Sequence, residues 1–233
     1  MNTTIKTLAS IALLSPMANA ALVGLNFQGN TAANLAAGTT AGSTAGTIVP
    51  QQNWNNALNG NDTVGSIANL ISSTGSSSGI TAAWLGPDSW NAMGAIGPSG
   101  NEQMSYGFIK SQASNVTVTF SGLMSGSLFD MVIYTATDNV GNLGTFTLTD
   151  LANTNASYNI GAGNTATFTD NSTRRAFTGL TAVGNSVTLT MSGGGAGLAG
   201  VQFSASAIPE PSSAVLLGLG ALGLLAHRTR RQA

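Results

Sequence analysis

The sequence predicts an all-β fold, an antiparallel β-sandwich or jelly roll, flanked by an N-terminal signal peptide and a single short C-terminal transmembrane helix. Three observations carry this expectation. Short β-rich runs separated by Gly, Asn and Asp fill the second half of the 233-residue chain. Within the clearest of them apolar residues fall at every second place, which gives a strand one buried and one polar face. Each end of the chain carries an apolar stretch whose flanking residues do not suit a core helix.

The runs are Tyr106 to Lys110, Val116 to Phe120, Leu128 to Thr135, Thr145 to Thr149, Thr165 to Thr169, Arg175 to Leu180, Val187 to Met191 and Val201 to Phe203. Their spacing is that of a sandwich of short strands. Alternation is strict in Val116-Thr117-Val118-Thr119-Phe120 and in Val187-Thr188-Leu189-Thr190-Met191. Leu22 to Phe27 is expected to be the first strand. Helix-period patterns are confined to Trp54 to Leu58 and Val64 to Ile71, while residues 31–46 and 72–79 are small-residue loops. Residues 21–208 therefore read as one domain, within the ordinary size range.

Residues 1–20 have the layout of a secretory signal. Lys6 is the early charge, Leu8 to Leu14 the apolar run, Pro16 the helix breaker, and Ala18-Asn19-Ala20 the small-residue cleavage site. Ala21 is the expected mature N-terminus. The apolar run is too short to span a bilayer or to make a good core helix.

At the other end, residues 212–226 read SSAVLLGLGALGLLA, without a charge. Pro209-Glu210-Pro211 precedes this span, and His227, Arg228, Arg230 and Arg231 follow it. As a helix the span reaches about 22 Å, short of the ~30 Å hydrocarbon core, so it would be a thinning or strained span. The basic end is expected to stay cytoplasmic and act as the stop, leaving the rest of the chain outside the inner membrane.

This order of motif, Gly/Leu-rich span and terminal arginines resembles the PEP-CTERM sorting signal of Gram-negative bacteria. The resemblance implies recognition of Pro209, Glu210 and Pro211 by an exosortase, a membrane cysteine protease, in organisms that make exopolysaccharide. Delivery by the general secretion machinery, transient membrane anchoring, and a final place at the cell surface, in extracellular matrix or in biofilm are what it further implies. An ordinary single-pass anchor would share the same topology.

Composition narrows what the domain between these ends can do. Residues 21–208 hold three cations (Lys110, Arg174, Arg175) against seven carboxylates (Asp62, Asp88, Glu102, Asp130, Asp138, Asp150, Asp170), a balance of −4. Without a basic patch, nucleic acid is not an expected partner. The chain has no cysteine, so an exported domain must be held by its core alone. Its one histidine, His227, lies in the tail, which removes Ser-His-Asp and Cys-His catalysis and any histidine-based zinc site from the domain. No metal ligand set and no cofactor are expected. The loops at 138–142 and 150–155 offer oxygen ligands for a structural Ca2+, although hairpin turns explain both.

The remaining candidates are few. Glu102, Asp88 and Asp130 are the carboxylates from which a glycosidase pair would be drawn, and turn roles are the commoner reading of such residues. Gly195 to Gly200 spells G-x-G-x-x-G, but the residues after it look like a strand where a dinucleotide site needs a helix, so it reads as a loop. Arg174 and Arg175 are adjacent at a strand start and point to opposite faces. Trp54, Trp84 and Trp90 sit among amides and glycines, a setting that suits a sugar stacked on an exposed ring, while burial at the sandwich edge is the commoner fate of such rings.

The segments Phe120 to Leu123, Gly126 to Asp130 with Tyr134, and Gly193 to Phe203 look like the turn-and-strand and closing strand of galactose-binding-like jelly rolls. That resemblance implies sugars among the ligands. The expectation is thus a non-enzymatic exported surface or matrix protein, with a carbohydrate-binding module or adhesin, and an extracellular glycan hydrolase, as the rivals.

Overall fold

The computed structural model describes residues 22–29, 51, 53–57, 64–91, 104–112, 114–138, 144–152, 156–160 and 172–205. The expected signal peptide at residues 1–20, Glu102, the run Thr165 to Thr169 and the whole tail from 206 lie outside them.

Two sheets face each other. The first is built from β1 (Leu22–Phe27), β2 (Asn55–Ala57), β5 (Asp88–Asn91), β6 (Gly107–Lys110), β8 (Leu128–Ala136), β11 (Arg174–Thr181) and β13 (Gly197–Ala205). Its order is β11-β8-β13-β1-β2, with β6 also on β13 and β5 on β6. The second holds β3 (Val64–Ile67), β4 (Thr81–Leu85), β7 (Val116–Ser121), β9 (Gly144–Thr149), β10 (Ala156–Ile160) and β12 (Ser186–Ser192), in the order β10-β9-β12-β7-β4-β3. From β7 to β13 the chain repeatedly changes sheet, as a sandwich with jelly-roll connections requires. Pairing is antiparallel except between β1 and β2, which run parallel.

Alternation explains the second sheet. Val116, Val118 and Phe120 of β7 and Val187, Leu189 and Met191 of β12 point inward, and the intervening threonines lie half-exposed on the outer face. They meet Val23, Leu25, Phe27, Met131, Val201 and Phe203 from the first sheet. Phe120 and Phe203 touch across the gap edge-on, with ring centroids 4.3 Å apart.

In β13 the period breaks. Leu198 pairs with Thr135 and Gly200 with Tyr134, so Ala199 is one residue too many, and this bulge lets both Leu198 and Val201 face the core. It also lies within the run read as a loop from its glycines, of which Gly197 to Gly200 are strand.

The two helix candidates are strands instead. Asn55–Ala57 is held against β1 by its backbone register and by the Asn55 side chain, which donates to the Gly24 carbonyl at 2.9 Å and accepts from the Ile71 amide at 2.7 Å. Val64–Ile67 pairs with β4 through Gly65, on which the Trp84 ring lies so closely that a Cβ would collide with it. Tertiary pairing overrides a weak helical period in both.

Candidate functional site

The three tryptophans do not come together. Trp84 is 6% exposed and packs edge-on against Phe27 in the main core, ring centroids 5.7 Å apart. Trp54 is 5% exposed and belongs to a second, smaller apolar cluster with Met104, Phe108, Tyr134, Ala136 and Ala199. Gly24 makes room for it, since a Cβ there would come within 2.5 Å of the Trp54 ring.

Around Trp54 the amides look inward. Its indole N–H donates to the Gln51 carbonyl at 3.1 Å, Tyr134 Oη–H donates to Gln202 Oε1 at 3.1 Å, and Gln202 Nε2 donates to Gln51 Oε1 at 2.9 Å. Of the amides that flank Trp54 in sequence, Gln51 is turned into this buried chain and Asn55 onto the Gly24 carbonyl, while Gln51 Nε2 finds no hydrogen-bond partner.

Trp90 differs. It stands on β5 opposite Phe108 and is 42% exposed. Lys110 Nζ lies 5.6 Å from the ring centroid and also 3.1 Å from each carboxylate oxygen of Asp138. Lys110 and Asp138 side chains are only 11% and 17% exposed, so this ion pair ties β6 to the end of β8 in a mostly dry setting. Charge composition alone pointed to neither partner. Replacing Lys110 by Met is expected to destabilise the domain by about 3 kcal/mol, because Asp138 is left without its cation. The Lys110→Met/Asp138→Asn pair should recover most of that, as urea unfolding midpoints would show.

Among the described residues the other carboxylates have local partners, with Asp150 Oδ2 accepting the Thr149 hydroxyl at 3.4 Å. Asp130 Oδ1 accepts the Gly179 amide at 2.8 Å, and Asp88 Oδ1 accepts the Ser89 amide at 2.9 Å. Asp150 sits at φ 64° in a turn, where its carbonyl accepts the Val183 amide. Among the described residues no three His, Cys, Asp or Glu side chains gather as a metal site would need. Arg174 and Arg175 open β11 opposite Tyr134 and Ile133, and Arg175 stacks over Phe177 two residues on, 5.7 Å from its ring centroid. Among the described residues no helix is long and apolar enough to cross a membrane.

Among solved structures the chain is similar to the CBM36-1 domain of a multidomain xylanase from the hindgut metagenome of Trinervitermes trinervoides. That match has 11% identity and a TM-score of 0.33, over 52% of this chain and 87% of that one. It is similar also to TmCBM61 in complex with beta-1,4-galactotriose, at 12% identity and a TM-score of 0.33, over 53% and 86%. A third is the C-terminal CBM6 of LamC from Zobellia galactanivorans, at 18% identity and a TM-score of 0.27, over 42% and 87%. No curated protein matches the chain in sequence. Pro209, Glu210, Pro211, the apolar span and the arginines lie outside the described residues, but residues 207–231 match the PEP-CTERM protein-sorting motif, and the chain therefore carries an exosortase-type sorting signal beyond its sandwich.

Proposed function

We propose that this chain is a non-enzymatic surface or matrix protein, secreted by the general pathway, sorted by an exosortase-like membrane protease and finally associated with exopolysaccharide in a biofilm. The observation that carries the reading is the sorting motif at residues 207–231. The non-enzymatic part is supported by the described carboxylates, of which Asp88 and Asp130 bond a neighbouring amide and Asp138 bonds Lys110. The exposed ring of Trp90 favours a second reading, a carbohydrate-binding module or adhesin, because a half-open indole at a sheet edge offers a stacking surface for a sugar.

Mass spectrometry of both termini, on protein from native membranes and from culture fluid, tests the leading reading. The expected N-terminus is Ala21 in both fractions. The membrane form should retain residues 212–226, and the processed form should end close to Pro209–Pro211. Recovery of Met1, or of one intact tail in every fraction, contradicts it.

A further inference from the structure

Strand β13 leaves the sandwich at Ala205, which is paired with Phe129, and β1 enters beside it, with Leu22 opposite Ser204. The same pole exposes three large apolar side chains: Met124 is 46% exposed, and Leu128 and Val183 are 55% exposed each. Met124 and Val183 sit on loops bonded to one another, and Leu128 opens β8 beside them. The Gly126 amide donates to the Ala182 carbonyl at 3.2 Å, the Leu123 amide to that of Asn185 at 3.0 Å, and Leu128 is in register with Thr181. The chain's exit point is thus next to an apolar surface.

Only residues 206–211 separate Ala205 from the apolar span at 212–226. Seven residue steps reach at most about 25 Å. The opposite pole, with Ser114, lies a further strand length away, about 30 Å for the nine residues of β8. The tether therefore keeps the bilayer close to Ala205, and Met124, Leu128 and Val183 are exposed apolar side chains at that same pole.

We propose that this pole rests on the lipid surface while the tail is inserted, with Met124, Leu128 and Val183 entering the interface. The inference rests on the sorting reading, which supplies the anchored state. The lipid is a neutral one. Asp130, in register with Ser204, and Asp150, beside Val183, lie at this pole, whereas Arg174 and Arg175 stand opposite Tyr134 and Ile133 farther along β8. Attraction to anionic headgroups is not available here, and apolar contact with zwitterionic lipid is.

The chain has no cysteine, so single probes are clean. The full chain, tail included, is reconstituted in phosphatidylcholine vesicles with Val183→Cys or Ser114→Cys carrying a nitrobenzoxadiazole label, and vesicle attachment is read separately by flotation. The expected result is flotation of both, with emission rising severalfold and shifting to shorter wavelength at 183 but not at 114. Adding Met124→Ser and Leu128→Ser should abolish most of that rise without loss of flotation, and these exposed positions tolerate the change. Flotation with both probes silent overturns the proposal and leaves the sorting reading standing. Failure to float overturns both. A rise at 183 without vesicles that grows with protein concentration assigns the face to a second copy and also overturns it.

Discussion

Replacing Pro209-Glu210-Pro211 by three alanines is expected to leave membrane insertion intact and to abolish maturation, so that a larger, tail-bearing form accumulates in the membrane. The apolar span supplies insertion and is unchanged by the substitution. Proline favours extended backbone, the conformation a protease takes into its cleft, and disfavours helix, so three alanines would remove both preferences from the motif. Removing Arg228, Arg230 and Arg231 should have the opposite signature, with weakened orientation and retention, because clustered basic residues favour the cytoplasmic side of a span. Size and fractionation of the two variants in a host with the sorting protease separate these effects. A triple-alanine variant that matures and distributes like the parent protein would reduce the tail to a simple anchor.

The second large effect is expected in the core. Phe120 and Phe203 are fully buried, come from opposite sheets and touch at 4.3 Å, and Phe129 adds a further contact to Phe203 at 6.0 Å. Phe120→Ala or Phe203→Ala should each cost about 3–5 kcal/mol, through lost burial and the cavity left behind. A domain of this kind has a total stability of roughly 5–15 kcal/mol, and this one has no disulfide to limit its unfolded ensemble. Either variant is then close to unfolding at ambient temperature. The double variant should lose less than the two together, because the aromatic contact, about 0.5–1.5 kcal/mol, is removed only once. Denaturant melts of the four proteins measure this, and strict additivity would show that the rings stabilise independently.

What could be read from the sequence follows from range. Val116 to Phe120 and Val187 to Met191 declare themselves because a sheet with one wet face imposes a period of two on neighbouring residues. β2 and β3 do not. Three residues are too few for a period, and what fixes Asn55 is a bond to Gly24, distant in sequence. The parallel pairing of β1 with β2 is likewise a property of two separated segments. The tryptophans were read from their neighbours along the chain, whereas their exposure depends on which sheet face closes over them. Trp54 is covered and Trp90 is not, although an Asn follows each of them directly in the sequence. The sorting tail is the opposite case, since its parts act in linear order and the order itself is the signal.

The pairing of β1 with β13 near the middle of the first sheet bears on how the chain crosses a membrane. Leu25 waits for Val201, a partner that emerges last, and β8 and β6 also lean on β13. Such distant pairing makes closure slow. On the proposed export route the sheet cannot close until Ala205 has passed, and the sorting motif at residues 207–231 follows directly behind it. The strand that completes the domain is thus the one joined to the anchor, and the chain remains threadable for nearly the whole of its passage while becoming compact only as it is being held.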